Sequence, residues 1–371
     1  MDETAVDEAK RADAGAADQA DPAAAGGTAA PTGAATAGPT EAEALAAADA
    51  DAETDTPDTI SEYPDEEVDQ PEPTTGGKPD RSPVAVVKGV IRTMRPKQWA
   101  KNVLVLVAPF TAAKISHPSV LLSALIAFVA FCLAASAIYL INDAKDVDAD
   151  RAHPTKRNRP IAAGIVPVPV ALVTAVVLLL GALAVSFAHN WQLAVVIAVY
   201  EAVQLGYCFG WKHQPVIDLC IVASGFLLRS IAGGVAADIT LSQWFLLVTA
   251  FGSLFMVSGK RYAEIRLYEE TGANIRASLR NYSASYLRFV WATSVAVVII
   301  TYGEWAFQIH QASNSVWAQI SIVPFVIALL RYAVDVDGGK AGAPDEIVLR
   351  DRVLQVLGLC WALTLVMAFY L

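Results

Sequence analysis

Residues 118–150 read PSVLLSALIAFVAFCLAASAIYLINDAKDVDAD. Pro118–Leu140 is apolar on every side, and it passes without a break into Asn142-Asp143-Ala144-Lys145-Asp146-Val147-Asp148-Ala149-Asp150. A helix must be ~20 mostly apolar residues long to cross a bilayer. One with no polar face is a buried or membrane helix, not a surface one. A membrane helix that ends in four aspartates is therefore the expected core of this chain.

Similar runs follow in both directions. Nine spans are predicted: Val103–Ala113, Pro118–Leu140, Val168–Phe187, Trp191–Cys208, Val216–Ala236, Gln243–Ser258, Phe289–Phe307, Val316–Tyr332 and Val353–Tyr370. The first is short for a crossing. The fold class expected is all-α, a polytopic bundle of nine transmembrane helices. Buried helices of a large soluble protein would show more polar faces.

Charge orients the bundle. The segments before span 1 and after spans 2, 4, 6 and 8 carry Lys88, Arg92, Arg95, Lys97, Arg151, Lys156, Arg157, Arg159, Lys212, Lys260, Arg261, Arg266, Arg276, Arg280, Arg350 and Arg352. The other loops carry only Lys114. The positive-inside rule then places the N-terminus and the basic loops in the cytoplasm and Leu371 outside. Trp191, Trp244, Trp305 and Trp317 fall near the predicted outer ends, as an aromatic belt would.

The overall charge of −10 hides two unlike regions. Up to Ser82 the chain holds 4 Lys/Arg and 21 Asp/Glu, a net of −17, and the remaining 23 basic and 16 acidic residues give +7. Residues 1–82 are rich in Ala, Asp, Glu, Thr, Pro and Gly and poor in large apolar side chains. Such a segment buries too little surface to offset its ordering entropy, so it reads as a disordered, solubilising tail. It has no apolar stretch of the signal-peptide kind. The working domain is 83–371. Cys132, Cys208, Cys220 and Cys360 form no CxxC pair and sit in or beside apolar runs, so no redox or metal role is expected of them. The partner expected from the apolar content is a bilayer, with no nucleic acid.

If the second helix continues past Asn142, then Asn142 or Asp143, Asp146 and Asp150 stack on one face. Stacked carboxylates repel unless a cation bridges them. Mg2+ takes oxygen ligands and joins carboxylates to substrate phosphates. Asn142, Asp143, Asp146 and Asp150 are thus a candidate Mg2+–diphosphate site. His153-Pro154-Thr155-Lys156-Arg157-Asn158-Arg159-Pro160 adds cations beside them, and metal plus Arg or Lys is a common phosphate clamp. Three further polar groups lie on the same predicted side. They are Arg95-Pro96-Lys97-Gln98-Trp99-Ala100-Lys101-Asn102, Tyr207 with Lys212 and Asp218, and Ser258-Gly259-Lys260-Arg261-Tyr262-Ala263-Glu264. Within the spans, Arg229 and Glu201 are costly in lipid and face the bundle interior, either paired with each other or lining a cavity.

The motif NDxxDxxxD followed by TKRNRPIAAG resembles the UbiA superfamily of intramembrane prenyltransferases, from about Val84 to the end. Typical aromatic-prenylating members carry a second acidic loop between spans 6 and 7, where this chain has KRYAE. RPKQWAKN, NDAKDVDAD, HPTKRNRPIA, SGKRYAE and PDEIVLRDRVL together look like the decaprenyl-phosphate phosphoribosyltransferase branch. That resemblance implies transfer of 5-phosphoribosyl from 5-phosphoribosyl-1-diphosphate to decaprenyl (polyprenyl) phosphate, for cell-wall arabinan precursors at the plasma membrane. It implies Mg2+ as cofactor and Asp143, Asp146, Asp150, Lys260 and Arg261 as catalytic groups. Lys97, Asn142, Lys156, Arg159, Tyr207, Lys212, Tyr262, Glu264 and Arg229 are the implied substrate contacts. A homo-oligomer is left open. The rival readings are a conventional prenyl transfer to an aromatic acceptor and, more distantly, a transporter or channel.

Overall fold

In the computed structural model of the chain, the described residues are 80–271, 279, 281–313, 315–339, 347 and 350–370. The tail before Asp80, Arg276, Arg280 and the start of the PDEIVLRDRVL stretch lie outside them. The described residues form helices joined by short connections, with no strand among them.

Helix α1, Pro83–Thr93, begins with Pro at its first position, and the Ser82 hydroxyl accepts the Ala85 amide at 3.3 Å. Arg95 then turns left-handed, with φ 53°, and the chain enters a 3-10 stretch, Pro96–Leu106, followed by the short α2, Val107–Thr111. Helix α3, Pro118–Lys145, has 28 residues. At ~1.5 Å per residue it outruns the ~30 Å hydrocarbon layer, so its last turns stand clear of the apolar zone. After Asp146 the chain continues as α4, Val147–Ala152.

Helices α5, Val168–His189, and α6, Trp191–Cys208, meet at Asn190, whose side chain caps α6 by accepting the Leu193 amide at 2.7 Å. Then follow α7, Ile217–Ala236, and α8, Gln243–Thr271. Helix α9, Ala284–Ser313, leads to the single turn α10, Trp317–Ile320, then α11, Ile322–Asp337, and α12, Arg352–Tyr370.

Small residues let the first half pack closely. Ala127, Ala130, Ala134 and Ala137 of α3 are fully buried, as are Ala171, Ala175 and Ala182 of α5. In lipid, close backbone approach replaces the hydrophobic effect as the packing force. The tightest approach is between α7 and the 3-10 stretch, where a Cβ on Gly233 would stand 1.8 Å from the Val105 carbonyl oxygen. Only glycine fits there. Helices α3, α5, α6 and α7 surround one apolar cluster, and α7, α8, α9, α11 and α12 surround another.

Among the described residues, seven helical segments are long and apolar enough to cross a membrane: α3, α5, α6, α7, α9, α10 with α11, and α12. This is an integral membrane protein by that measure. The expected first and sixth spans are not among the seven. Val103–Ala113 is divided between the 3-10 stretch and α2. The sixth span is part of a 29-residue helix whose second half is polar. The KRYAE segment therefore lies on a helix, not in a loop as expected. Lys, Arg, Ala and Glu are good helix formers, and nothing after Gly259 breaks the pattern.

Candidate active site

The polar residues gather at one end of the bundle. At the other end, His189 and Asn190 meet the Ala236 and Val235 carbonyls at 2.8 and 3.2 Å. Neighbouring helices alternate in direction, so the C-terminal ends of α3 and α6 and the N-terminal end of α7 share the first end.

There the aspartate face forms as the spacing predicts. Asp146 sits at a slight break between α3 and α4, yet its amide donates to the Asn142 carbonyl at 2.9 Å and its carbonyl accepts the Asp150 amide at 2.8 Å. The four-residue register survives, and Asp143, Asp146 and Asp150 are all buried. Asp148 points outward and pairs with Arg151 at 3.0 Å.

Each buried carboxylate has a cation. Arg159 Nη1 stands between two of them, 3.0 Å from Asp150 Oδ2 and 3.4 Å from Asp143 Oδ1. Arg95 Nη2 reaches Asp143 Oδ1 at 2.9 Å while its guanidinium lies over the Tyr139 ring. Lys212 Nζ is 3.2 Å from both oxygens of Asp146. Lys145 leaves the acidic face to donate to the Cys208 carbonyl, and Cys208 Sγ lies 3.8 Å from Asn142 Oδ1. Burial raises the Asp150 carboxyl above the usual carboxylate range, an effect that Arg159 opposes and Asp143 reinforces. Lys156 is buried in the same region.

A second cluster lies six residues along the α6–α7 connection from Lys212. Asp218, in the first turn of α7, is 1 % exposed. Its Oδ1 accepts from Tyr282 at 2.5 Å, and its Oδ2 is 3.9 Å from Arg261 Nη2. Arg261 Nη1 is in turn 3.8 Å from Glu264 Oε2. Helix α8 thus places Arg261 between two carboxylates, at distances longer than the 3.0 Å bond of Arg159 to Asp150. Tyr262, one residue on, accepts from Arg288 Nη2 at 2.6 Å, and Arg288 pairs with Asp337 at 2.9 Å. Lys260 is half-buried.

The structure sorts the sequence candidates. Asp143, Asp146, Asp150, Arg159 and Lys212 come together, and Asp218 with Arg261 and Glu264 forms the neighbouring group. Lys97 is exposed on the 3-10 stretch, and Tyr207 is half-buried at the end of α6. Arg229 lies inside α7. It donates to Asn102 Oδ1 and the Gly225 carbonyl at 2.7 Å each and to Tyr200 Oη at 3.4 Å, with Phe131, Tyr200 and Phe226 rings around it. It braces three segments of the bundle. Glu201, expected as its mate, has Oε1 buried with no hydrogen-bond partner.

Two contributors escaped the sequence reading: Tyr282 and Arg288 bind site residues from beyond α8. Arg95, read only as part of its stretch, meets Asp143. Arg95 carried one signal, its place at the abrupt turn before Pro96. Tyr282 carried none, because its partner is 64 positions away.

Among the described residues no three acidic, His or Cys side chains close on one point as a finished metal cage. The donor set itself is all oxygen, buried and anionic, on one helical face, which fits a hard divalent cation that also binds phosphate.

Comparison with known proteins agrees. The sequence model described as the UbiA prenyltransferase family matches residues 102–349. Decaprenyl-phosphate phosphoribosyltransferase of Corynebacterium glutamicum is 57% identical over 300 residues, covering 79% of this chain and 90% of that protein. The protein of the same name from Mycolicibacterium smegmatis is 55% identical over 314 residues, covering 81% and 97%. Among solved structures, a UbiA homolog from Archaeoglobus fulgidus bound to DMAPP and Mg2+ aligns with TM-score 0.58 at 18% identity, over 76% of this chain and 98% of that one. The same homolog bound to GPP and Mg2+ aligns with TM-score 0.57 at 17% identity, over the same shares. At that identity the likeness is one of fold.

Proposed function

The chain belongs to the UbiA prenyltransferase family, and we propose that it moves 5-phosphoribosyl from 5-phosphoribosyl-1-diphosphate to decaprenyl phosphate, releasing diphosphate. The curated relatives' name supports this reading. The observation that carries it is the buried Arg261, held between Asp218 and Glu264 on a helix where the prenyl-transferring relatives are expected to carry acids. A fixed cation there suits a second phosphate better than a second metal.

In this reading Asp143, Asp146 and Asp150, with Asn142, hold Mg2+. The chemistry Mg2+ supplies when bound is neutralisation of the leaving diphosphate. Arg95 and Arg159, which balance the carboxylates, would bind the same phosphates. Lys260 and Arg261 hold the donor's 5-phosphate or the lipid phosphate, and Glu264 orients Arg261 or meets ribose hydroxyls. Lys97, Lys156, Tyr207, Lys212 and Tyr262 line the polar end. The bond from ribose C1 to the diphosphate breaks as one forms from C1 to a lipid phosphate oxygen. That oxygen is already anionic, so no strong base is needed, and catalysis rests on positioning and charge. The product would feed arabinan precursor synthesis for a cell wall.

The topology proposed is nine crossings in the plasma membrane, with the polar end, the N-terminus and the tail cytoplasmic and the C-terminus outside. In this reading the first crossing is Val103–Ala113, which the 3-10 stretch and α2 share.

The test is purified protein with labelled 5-phosphoribosyl-1-diphosphate and decaprenyl phosphate. Label should move to the lipid fraction with Mg2+ and stay behind in chelator. Product only from a prenyl diphosphate and an aromatic acceptor would establish the conventional reaction instead.

A further inference from the structure

Helix α1 presents three distinct surfaces. Gly89 and Thr93 are buried, and a Cβ on Gly89 would stand 2.6 Å from Val166 and 3.3 Å from Pro160. Val90 and Met94 pack beside them against the apolar cluster formed by the end of α3 and the start of α5. The opposite surface is apolar and outward: Val84, Val87 and Ile91 are 65%, 58% and 51% exposed. At ~3.6 residues per turn these three share one narrow stripe facing away from Gly89. Lys88 and Arg92, four apart, occupy the flank between the two surfaces, and Arg81 precedes the helix.

This helix docks where α3 leaves its apolar span. A partner for its stripe must therefore be available at the rim of a bundle whose neighbours cross a membrane. We propose that α1 lies in the plane of the bilayer surface and binds anionic lipid, with Val84, Val87 and Ile91 among the acyl chains and Lys88 and Arg92 at lipid phosphates. An apolar stripe edged by Lys and Arg is the pattern of an interfacial helix. Each cation near an anionic surface adds ~1 kcal/mol, roughly five-fold in surface affinity.

The placement ties lipid contact to the site. Arg81 Nε donates to the Gly164 carbonyl at 3.0 Å, and Gly89 rests on Pro160 and Val166. Both hold the turn that begins at Arg159. The same helix runs directly into Arg95. The inference stands whichever group the enzyme transfers.

The test uses the full chain in nanodiscs, with Cys220→Ser and Cys360→Ser and a spin label at Val87→Cys or Ile91→Cys. Oxygen should relax both labels more strongly than a water-soluble nickel chelate, and adding phosphatidylglycerol to phosphatidylcholine should increase that bias. In a Lys88→Gln, Arg92→Gln background the ratio of immersed to exposed label should fall roughly five-fold per charge removed. Nickel relaxing the labels as well as oxygen does would overturn the proposal, since the stripe would face water. Dipolar broadening between labels on two copies, with neither reagent reaching them, would assign the stripe to a second chain instead. An immersed label whose bias ignores phosphatidylglycerol would remove the anionic-lipid claim. If Val87→Cys does not fold, Val84→Cys reports the same stripe.

Discussion

Tyr282 donates a 2.5 Å hydrogen bond to Asp218 Oδ1. The same hydroxyl accepts the Val216 amide at 2.5 Å, where Val216 has φ 69°. A left-handed β-branched residue is strained, and strain of this kind persists only where surrounding contacts impose it. Burial and the Asp218 contact push the Tyr282 hydroxyl above the usual tyrosine range. One side chain thus pins the entry to α7 and aims Asp218 at Arg261.

Tyr282→Phe leaves a buried carboxylate oxygen and a backbone amide without their partner. That costs about 1–3 kcal/mol, visible as a lower Tm in detergent. Transfer should fall as well, through the loosened Asp218–Arg261 pair. Tyr286→Phe, a neighbour stacked on Tyr282 at 5.8 Å, should change neither quantity. An unchanged Tm and rate for Tyr282→Phe would mean that the ring, not the hydroxyl, matters.

Activity should require a divalent cation, with Mg2+ preferred. Asp146→Asn and Asp150→Asn should each remove most turnover while the protein stays folded in the membrane. Full activity of either variant, or of the unaltered protein in excess chelator, would disprove the metal site.

Lys260 and Arg261 should separate. Lys260 is half-buried, and losing one charge-assisted hydrogen bond to phosphate costs on the order of 1.5–3 kcal/mol. Lys260→Ala should lower kcat/KM roughly ten- to a hundred-fold with little change in Tm. Arg261→Ala strands the buried Asp218, so it should lower Tm as well as activity. Replacing both by Asp should abolish phosphoribosyl transfer. Wild-type rates for Lys260→Gln would reduce that residue to a topology anchor. Initial rates at limiting donor and at limiting lipid would show which phosphate each residue holds.

Deleting residues 1–79 should leave specific activity intact, because α1 and its cap begin beyond that point. Deleting through Ser82 should cost somewhat more. It removes the Ser82 cap, worth about 1 kcal/mol, and the Arg81 contact to Gly164. A large loss from the shorter deletion, with folding retained, would place the tail in the site.

Seven of the nine expected spans and the aspartate face were legible in the sequence. Both are local matters. An apolar run of bilayer length has one favourable environment, and acids spaced at three, four and seven residues share a helical face however the rest folds. The tertiary structure decided which cation meets which acid. Arg95 reaches Asp143, Arg159 bridges Asp143 and Asp150, and Tyr282 orders Asp218 across 64 positions. It also placed Lys260 and Arg261 on a helix and made the segment after Arg95 a 3-10 stretch pressed against Gly233. Such pairings depend on how helices pack at one end of the bundle. Long side chains of like charge are interchangeable in a sequence, and only packing fixes which of them is within 3 Å of a buried carboxylate.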